Sequence, residues 1–251
     1  MKNRIILALA ASVMLSACSG TPDEPQAQAS GPEVAYERAR ELMAQGNLSM
    51  ARDALNNLSS RYPFGAYANQ VQLDLIYLNY KLDDTDKALA TIDRFIRLNP
   101  NHQDIDYAIY MRGLVNQRAE HNTIQELAGV ERYDRDPSRA RDAFKDFADL
   151  IRQYPDSKYV PDAKQRLVAL KSRLAKYELA AARYYMDRAA YLAAANRGKY
   201  ILEYYPNTPE VEEALAIMVE SYDQLDLPKM RDDARKVLQL NYPENPMASA
   251  D

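Results

Sequence analysis

The chain has 251 residues, 47 % of them hydrophobic, which suffices for one or two domains with a sizeable core. A formal net charge of −4 excludes the broad basic surface of a nucleic-acid binder, and the one cysteine excludes an intrachain disulfide. Seven glycines, no tryptophan and nineteen tyrosines favour helices over sheets.

Residues 1–17 form a segment of their own: Lys2 and Arg4 give a charged start, Ile5 to Leu15 is apolar, and Ser16 and Ala17 are small. This is the pattern of a secretory signal peptide, too short to remain as a bilayer span. The stretch Leu15-Ser16-Ala17-Cys18 resembles the lipobox of bacterial lipoproteins. The resemblance implies that Cys18 becomes the first mature residue and carries an N-palmitoyl and an S-diacylglycerol group, with Ser19 directing it to the outer membrane. The plainer reading is a thiol lost with a cleaved signal. Loss of Lys2 and Arg4 would take the net charge to −6. Residues 18–31, ending near Pro32, have the composition of a flexible tether with a reach of roughly 20 Å by random-coil scaling.

From residue 32 onward a phrase recurs: RYP at 61–63, LNP at 98–100, QYP at 153–155, YYP at 204–206 and NYP at 241–243, with intervals of 37, 55, 51 and 37 between prolines. Proline lacks a backbone donor and disfavours helix in the residue before it, so each phrase predicts a helix end. Twelve residues before the prolines stand Ala51, Ala88, Ala143 and Ala194, with Arg231 in the fifth position; five before stand Leu58, Phe95, Leu150, Ile201 and Leu238. Seven residues make almost two turns, so small and bulky partners share one face. A helix, a turn and a helix at a period near 34 is tetratricopeptide arithmetic. The expected fold is all-α, a right-handed α-solenoid of five tetratricopeptide-like helix-turn-helix repeats, with helix pairs over 32–61, 66–98, 103–153, 159–205 and 208–241. Repeats one and two fill 32–100, repeat three fills 101–158 and repeats four and five fill 159–251. The drifting fifth repeat fits a terminal cap.

Gly46-Asn47 supplies the first turn. The 55-residue interval predicts an insertion over 119–136. The 51-residue interval contains no glycine or proline from Asp162 to Arg188 and predicts one helix of nearly thirty residues.

Catalytic chemistry has little support. His102 and His121 lack ligand or triad spacing and read as satisfied loop residues. The pairs Asp83-Asp84 and Asp232-Asp233 read as turns or solvated faces, and no glycine-rich phosphate loop is present. Tyrosine and arginine are abundant instead, and those left over from the core suit a binding groove.

The segments RYPFGAYANQVQLDLIY (61–77), DRFIRLNPNHQDIDYAIYMRGL (93–114), DRDP (134–137) and RLAKYE (173–178), with the lipobox and the proline rhythm, resemble the BamD family, the lipoprotein subunits of the outer-membrane β-barrel assembly machine. The resemblance covers the mature chain. It implies a non-enzymatic factor without cofactor, lipid-anchored at the outer membrane with its body in the periplasm. It implies contacts with the POTRA domains of BamA, with BamC and BamE, and with unfolded β-barrel precursors. Tyr62, Phe64, Tyr67 and Tyr77 are the expected precursor-binding residues, and Arg197 the expected BamA contact. For Tyr62 and Phe64 the competing role is packing against the second repeat, and for Arg197 it is an ordinary solvated charge. The alternative function is a lipid-anchored scaffold for cell-wall synthesis or division.

Overall fold

The computed structural model describes residues 31–120 and 136–249, and every regular element among them is helical. In chain order these are α1 (Pro32–Ala44), α2 (Leu48–Arg61), α3 (Ala68–Lys81), α4 (Thr85–Leu98), α5 (Ile105–Glu120), α6 (Ser138–Gln153), α7 (Val160–Met186), α8 (Tyr191–Tyr204), α9 (Glu210–Gln224) and α10 (Pro228–Asn241), then a 3-10 turn over Pro246–Ala248. They divide into two compact units, one up to Tyr67 and one from Ala68 onward. Helices α1 and α2 form the described part of the first; the second holds the other eight.

The proline rhythm is a backbone device. Tyr62, Asn99, Tyr154, Tyr205 and Tyr242 stand just before the prolines with φ between −126° and −140°, outside the helical region. Each N–H donates to the carbonyl of the bulky residue four positions earlier, Leu58, Phe95, Leu150, Ile201 or Leu238, at 2.7–2.9 Å. The proline that follows prevents further helix. Those five bulky residues are at most 3 % exposed, and Ala51, Ala88, Ala143 and Ala194 are fully buried. Arg231, in the fifth alanine position, is half-buried and pairs with Asp223 at 2.8 Å, so the last helix buries only Ala234 and Leu238.

A second device closes the turn inside four of the pairs. Gly46, Asp83, Ala189 and Asp226 all adopt φ between +54° and +77°. The next residue's N–H reaches back five positions: Asn47 to Leu42, Asp84 to Asn79, Ala190 to Tyr185 and Leu227 to Tyr222, each at 2.9 Å. This Schellman closure satisfies carbonyls that a helix end would leave unpaired. The turn of the third pair falls on residues 121–135, outside the described residues. Helix α5 runs to Glu120 and α6 starts at Ser138, whose N–H is accepted by Asp136 Oδ1 at 3.1 Å. His121, Asp134 and Arg135 lie outside the described residues, as do the signal segment, Cys18 and the tether up to residue 30.

The long helix is real: α7 has 27 residues and is about 40 Å long. Its first half bonds to α5 through Tyr110–Asp162 at 2.7 Å, Arg166–Gln117 at 2.8 Å and Arg173–Glu120 at 2.6 Å. From its middle toward its C-terminal end it bonds to α9 through Ser172–Glu210 at 3.0 Å and Arg183–Glu213 at 2.5 Å. It therefore serves as a strut within the second unit, held along most of its length.

Candidate partner-binding surfaces

The four aromatic residues expected to meet a precursor fall on two units. Tyr62 caps α2 and is partly exposed; Phe64, in the loop after it, is 95 % exposed; Tyr67 places its ring 5.1 Å from that of Tyr36. All three lie in the first unit. Tyr77 belongs to α3 in the second, with Lys81 Nζ 5.9 Å from its ring centre. Tyr67 is thus largely a packing residue, whereas Phe64 is apolar surface in water.

Most other tyrosines of the middle helices are structural. Tyr110 stacks on Tyr159 at 4.6 Å and donates to Asp162 at 2.7 Å. Burial, aided by that bond, pushes its hydroxyl up to about 12. Burial likewise raises Tyr107 and Tyr205. His102 is a satisfied loop residue: its Nδ1 accepts the Asp104 N–H at 3.1 Å and its ring meets Phe95 edge-on. The carboxylate pairs are consumed by neighbours, Asp83 by Arg118, Asp84 by Lys87 and Asp233 by Lys229. Among the described residues no group of three His, Cys, Asp or Glu could hold a metal ion, and no helix is long and apolar enough to cross a membrane.

Arg197 is not the free charge its position suggests. Its Nη1 donates to Glu178 Oε2 at 2.8 Å, and its guanidinium lies 6.0 Å from the Tyr185 ring. The Glu178 hydrogen bond strengthens its hold on the proton. Glu178 itself sits on the buried face of α7, four residues after Leu174 and four before Ala182. It also takes a second arginine, Arg141 of α6, at 3.4 Å. Both arginine side chains remain about two-fifths exposed while the Glu178 side chain they share is 2 % exposed.

A family model described as YfiO, outer membrane lipoprotein, matches residues 28–238. The chain belongs to this family. The outer membrane protein assembly factor BamD of Vibrio cholerae is 43 % identical over 242 residues, 96 % of this chain and 99 % of that one. The BamD factor of Neisseria gonorrhoeae is 42 % identical over 97 % of this chain and 92 % of its own length. That of Xylella fastidiosa strain Temecula1 is 34 % identical over 95 % and 81 %. Membership makes the chain an outer-membrane protein assembly factor.

Glu178 and Arg141 escape a reading by spacing, although one trace of them exists in this family member. The stripe Leu170, Leu174, Glu178, Ala182 places one carboxylate in an otherwise apolar face, and a buried carboxylate requires partners. Nothing local tells that those partners lie 37 residues before it and 19 after.

Proposed function

We propose that this family member is a lipid-anchored, non-enzymatic subunit of the outer-membrane β-barrel assembly machine, which holds BamA through its POTRA domains and receives unfolded barrel precursors. The observation that carries the reading is the match to BamD assembly factors along nearly the whole of both chains. Cys18 carries the N-palmitoyl and S-diacylglycerol anchor in the outer membrane, and the helical body stands in the periplasm. The body works without a cofactor. Arg197 contacts BamA, BamC and BamE dock alongside, and Phe64 with Tyr62, Tyr67 and Tyr77 provides aromatic contacts for an extended precursor. The 95 % exposure of Phe64 supports its part in this, since a large ring left in water is a ready anchor.

The test is purification of the full-length lipoprotein from envelopes solubilised in mild detergent. Recovery of the POTRA-bearing barrel subunit in stoichiometric amount is expected. Recovery of cell-wall synthases in its place would favour the scaffold for cell-wall synthesis or division.

A further inference from the structure

Three carboxylates are buried among the described residues, and two are matched by arginine: Asp146 by Arg112 at 2.8 Å, and Glu178 by Arg197 at 2.8 Å. Glu210, the first residue of α9, is 6 % exposed and has no such partner. Ser172 of α7 donates to its Oε1 at 3.0 Å, and its Oε2 meets no donor among the described residues. The positive end of the α9 dipole favours a carboxylate at this position but supplies no hydrogen bond to that oxygen. A buried charge with an unsatisfied oxygen is costly, so a donor added there gains accordingly.

Glu210 forms part of the wall of a cleft of about 260 Å³ between α7 and the start of α9. Leu179, Ala180 and Pro209 supply its apolar lining. Arg183 lines it too, with its guanidinium already held by both oxygens of Glu213 at 2.5 Å. A cavity of about 150 Å³ holds a benzene ring, so this cleft has room for a chain of about five carbons.

We infer that the cleft binds a primary alkylammonium group, with the ammonium donating to Glu210 and the stem lying against Leu179, Ala180 and Pro209. The inference goes beyond the assembly reading and does not depend on it. An ammonium brings a charge and three donors to a carboxylate that lacks both. The terminal torsion of a glutamate is broad, so Oε2 can turn toward an entering donor. An anion is the weaker fit, because Glu210, Glu212 and Glu213 crowd the first turn of α9. So is a metal ion, since among the described residues no group of three His, Cys, Asp or Glu converges. Lys176 also lines the cleft and opposes a cation, which gives the test a sign.

The test titrates n-pentylammonium chloride into the full-length lipoprotein in non-ionic detergent, read by calorimetry and by melting temperature, with helical content checked by circular dichroism. Saturable binding with a Kd of about 1–10 mM and a raised melting temperature are expected. Glu210→Gln keeps the side chain's shape and is expected to weaken binding at least about tenfold. Ala180→Leu fills the cleft and is expected to do the same, with helicity unchanged in both. Lys176→Gln removes a like charge and is expected to tighten binding about threefold. No saturation by about 100 mM, or wild-type binding in Glu210→Gln or Ala180→Leu, overturns the site. Equal binding of n-pentanol would make the cleft merely apolar, and weaker binding in Lys176→Gln would make its ligand an anion; either overturns the ammonium. Binding of Nα-acetyl-lysinamide that Glu210→Gln abolishes would assign the group to a lysine side chain, whereas binding of n-pentylammonium alone would assign it to a free amine. No barrel subunit enters the titration, so its failure leaves the partner reading untouched.

Discussion

Glu178 shows how far one side chain reaches in this molecule. A carboxylate that is 2 % exposed is stable only while its charge is matched, and here the match comes from two helices on either side of α7 in sequence. Removing both arginines strands it. Breaking fully buried pairs costs about 3–5 kcal/mol, and since these arginines are about two-fifths in water, screening brings the expected loss for Arg141→Ala with Arg197→Ala to about 1–3 kcal/mol. Urea unfolding of the double variant measures it, and a loss below about 0.5 kcal/mol would show that water already solvates Glu178. Asp162 gives a prediction in pH. Burial alone would raise its pKa, but hydrogen bonds from Arg166 and Tyr110 prevail and hold it below the ordinary carboxylate value. A depressed folded-state value means stability that is complete above about pH 4 and lost as pH falls through the folded value. Asp162→Asn should flatten that acid limb relative to wild type in unfolding measured between about pH 5 and pH 3. Asp146, which burial drives upward, contributes the opposite slope and is common to both proteins, so the comparison isolates Asp162.

Helix ends and helix crossings carry the repeat. The alanine and bulky positions counted from the prolines are the buried face of the second helix in each pair, and that much was legible because helix periodicity is local. The turns were only partly so. Gly46 announces a left-handed residue, whereas Asp83, Ala189 and Asp226 take the same conformation with nothing in their spacing to show it. An alanine there is strained, so Ala189→Gly should raise stability by about 0.5–1 kcal/mol in thermal unfolding. A lower melting temperature would show that backbone entropy outweighs the relief. Gly198 works in the opposite sense. A Cβ on it would stand 2.8 Å from the Ala214 carbonyl oxygen and 2.7 Å from Met218 Cγ, so α8 and α9 approach only because this residue has no side chain. Gly198→Ala is expected to lose about 1–3 kcal/mol, visible as a lowered melting temperature. The role of Gly198 depends on a helix crossing, and single-chain spacing does not reveal crossings.

At the scale of the whole molecule, the proposed function asks for a helical body with anchors left in water. The described body is helical, many of its charged groups are engaged with one another, and Tyr62, Phe64, Tyr184 and Tyr204 are among the large side chains it leaves in water. The long interval before the fourth proline predicted α7, and the structure gives that length a use: one helix meets α5 along its first half and α9 from its middle to its far end. The ion-pair cluster on α7 was only half legible, because Arg197 stands in a recognisable stretch while Arg141 and Glu178 meet it through folding alone. The anchor belongs to this scale as well. Cys18→Ser should abolish incorporation of radiolabelled fatty acid while leaving the helical body folded, and unchanged labelling would remove Cys18 from the account.

The most direct test is depletion of the protein from living cells, followed by measurement of folded, heat-modifiable β-barrel proteins in the outer membrane. The account predicts that folded barrels fall and unfolded precursors accumulate in the periplasm as the protein disappears. Normal barrel levels in depleted cells would contradict it.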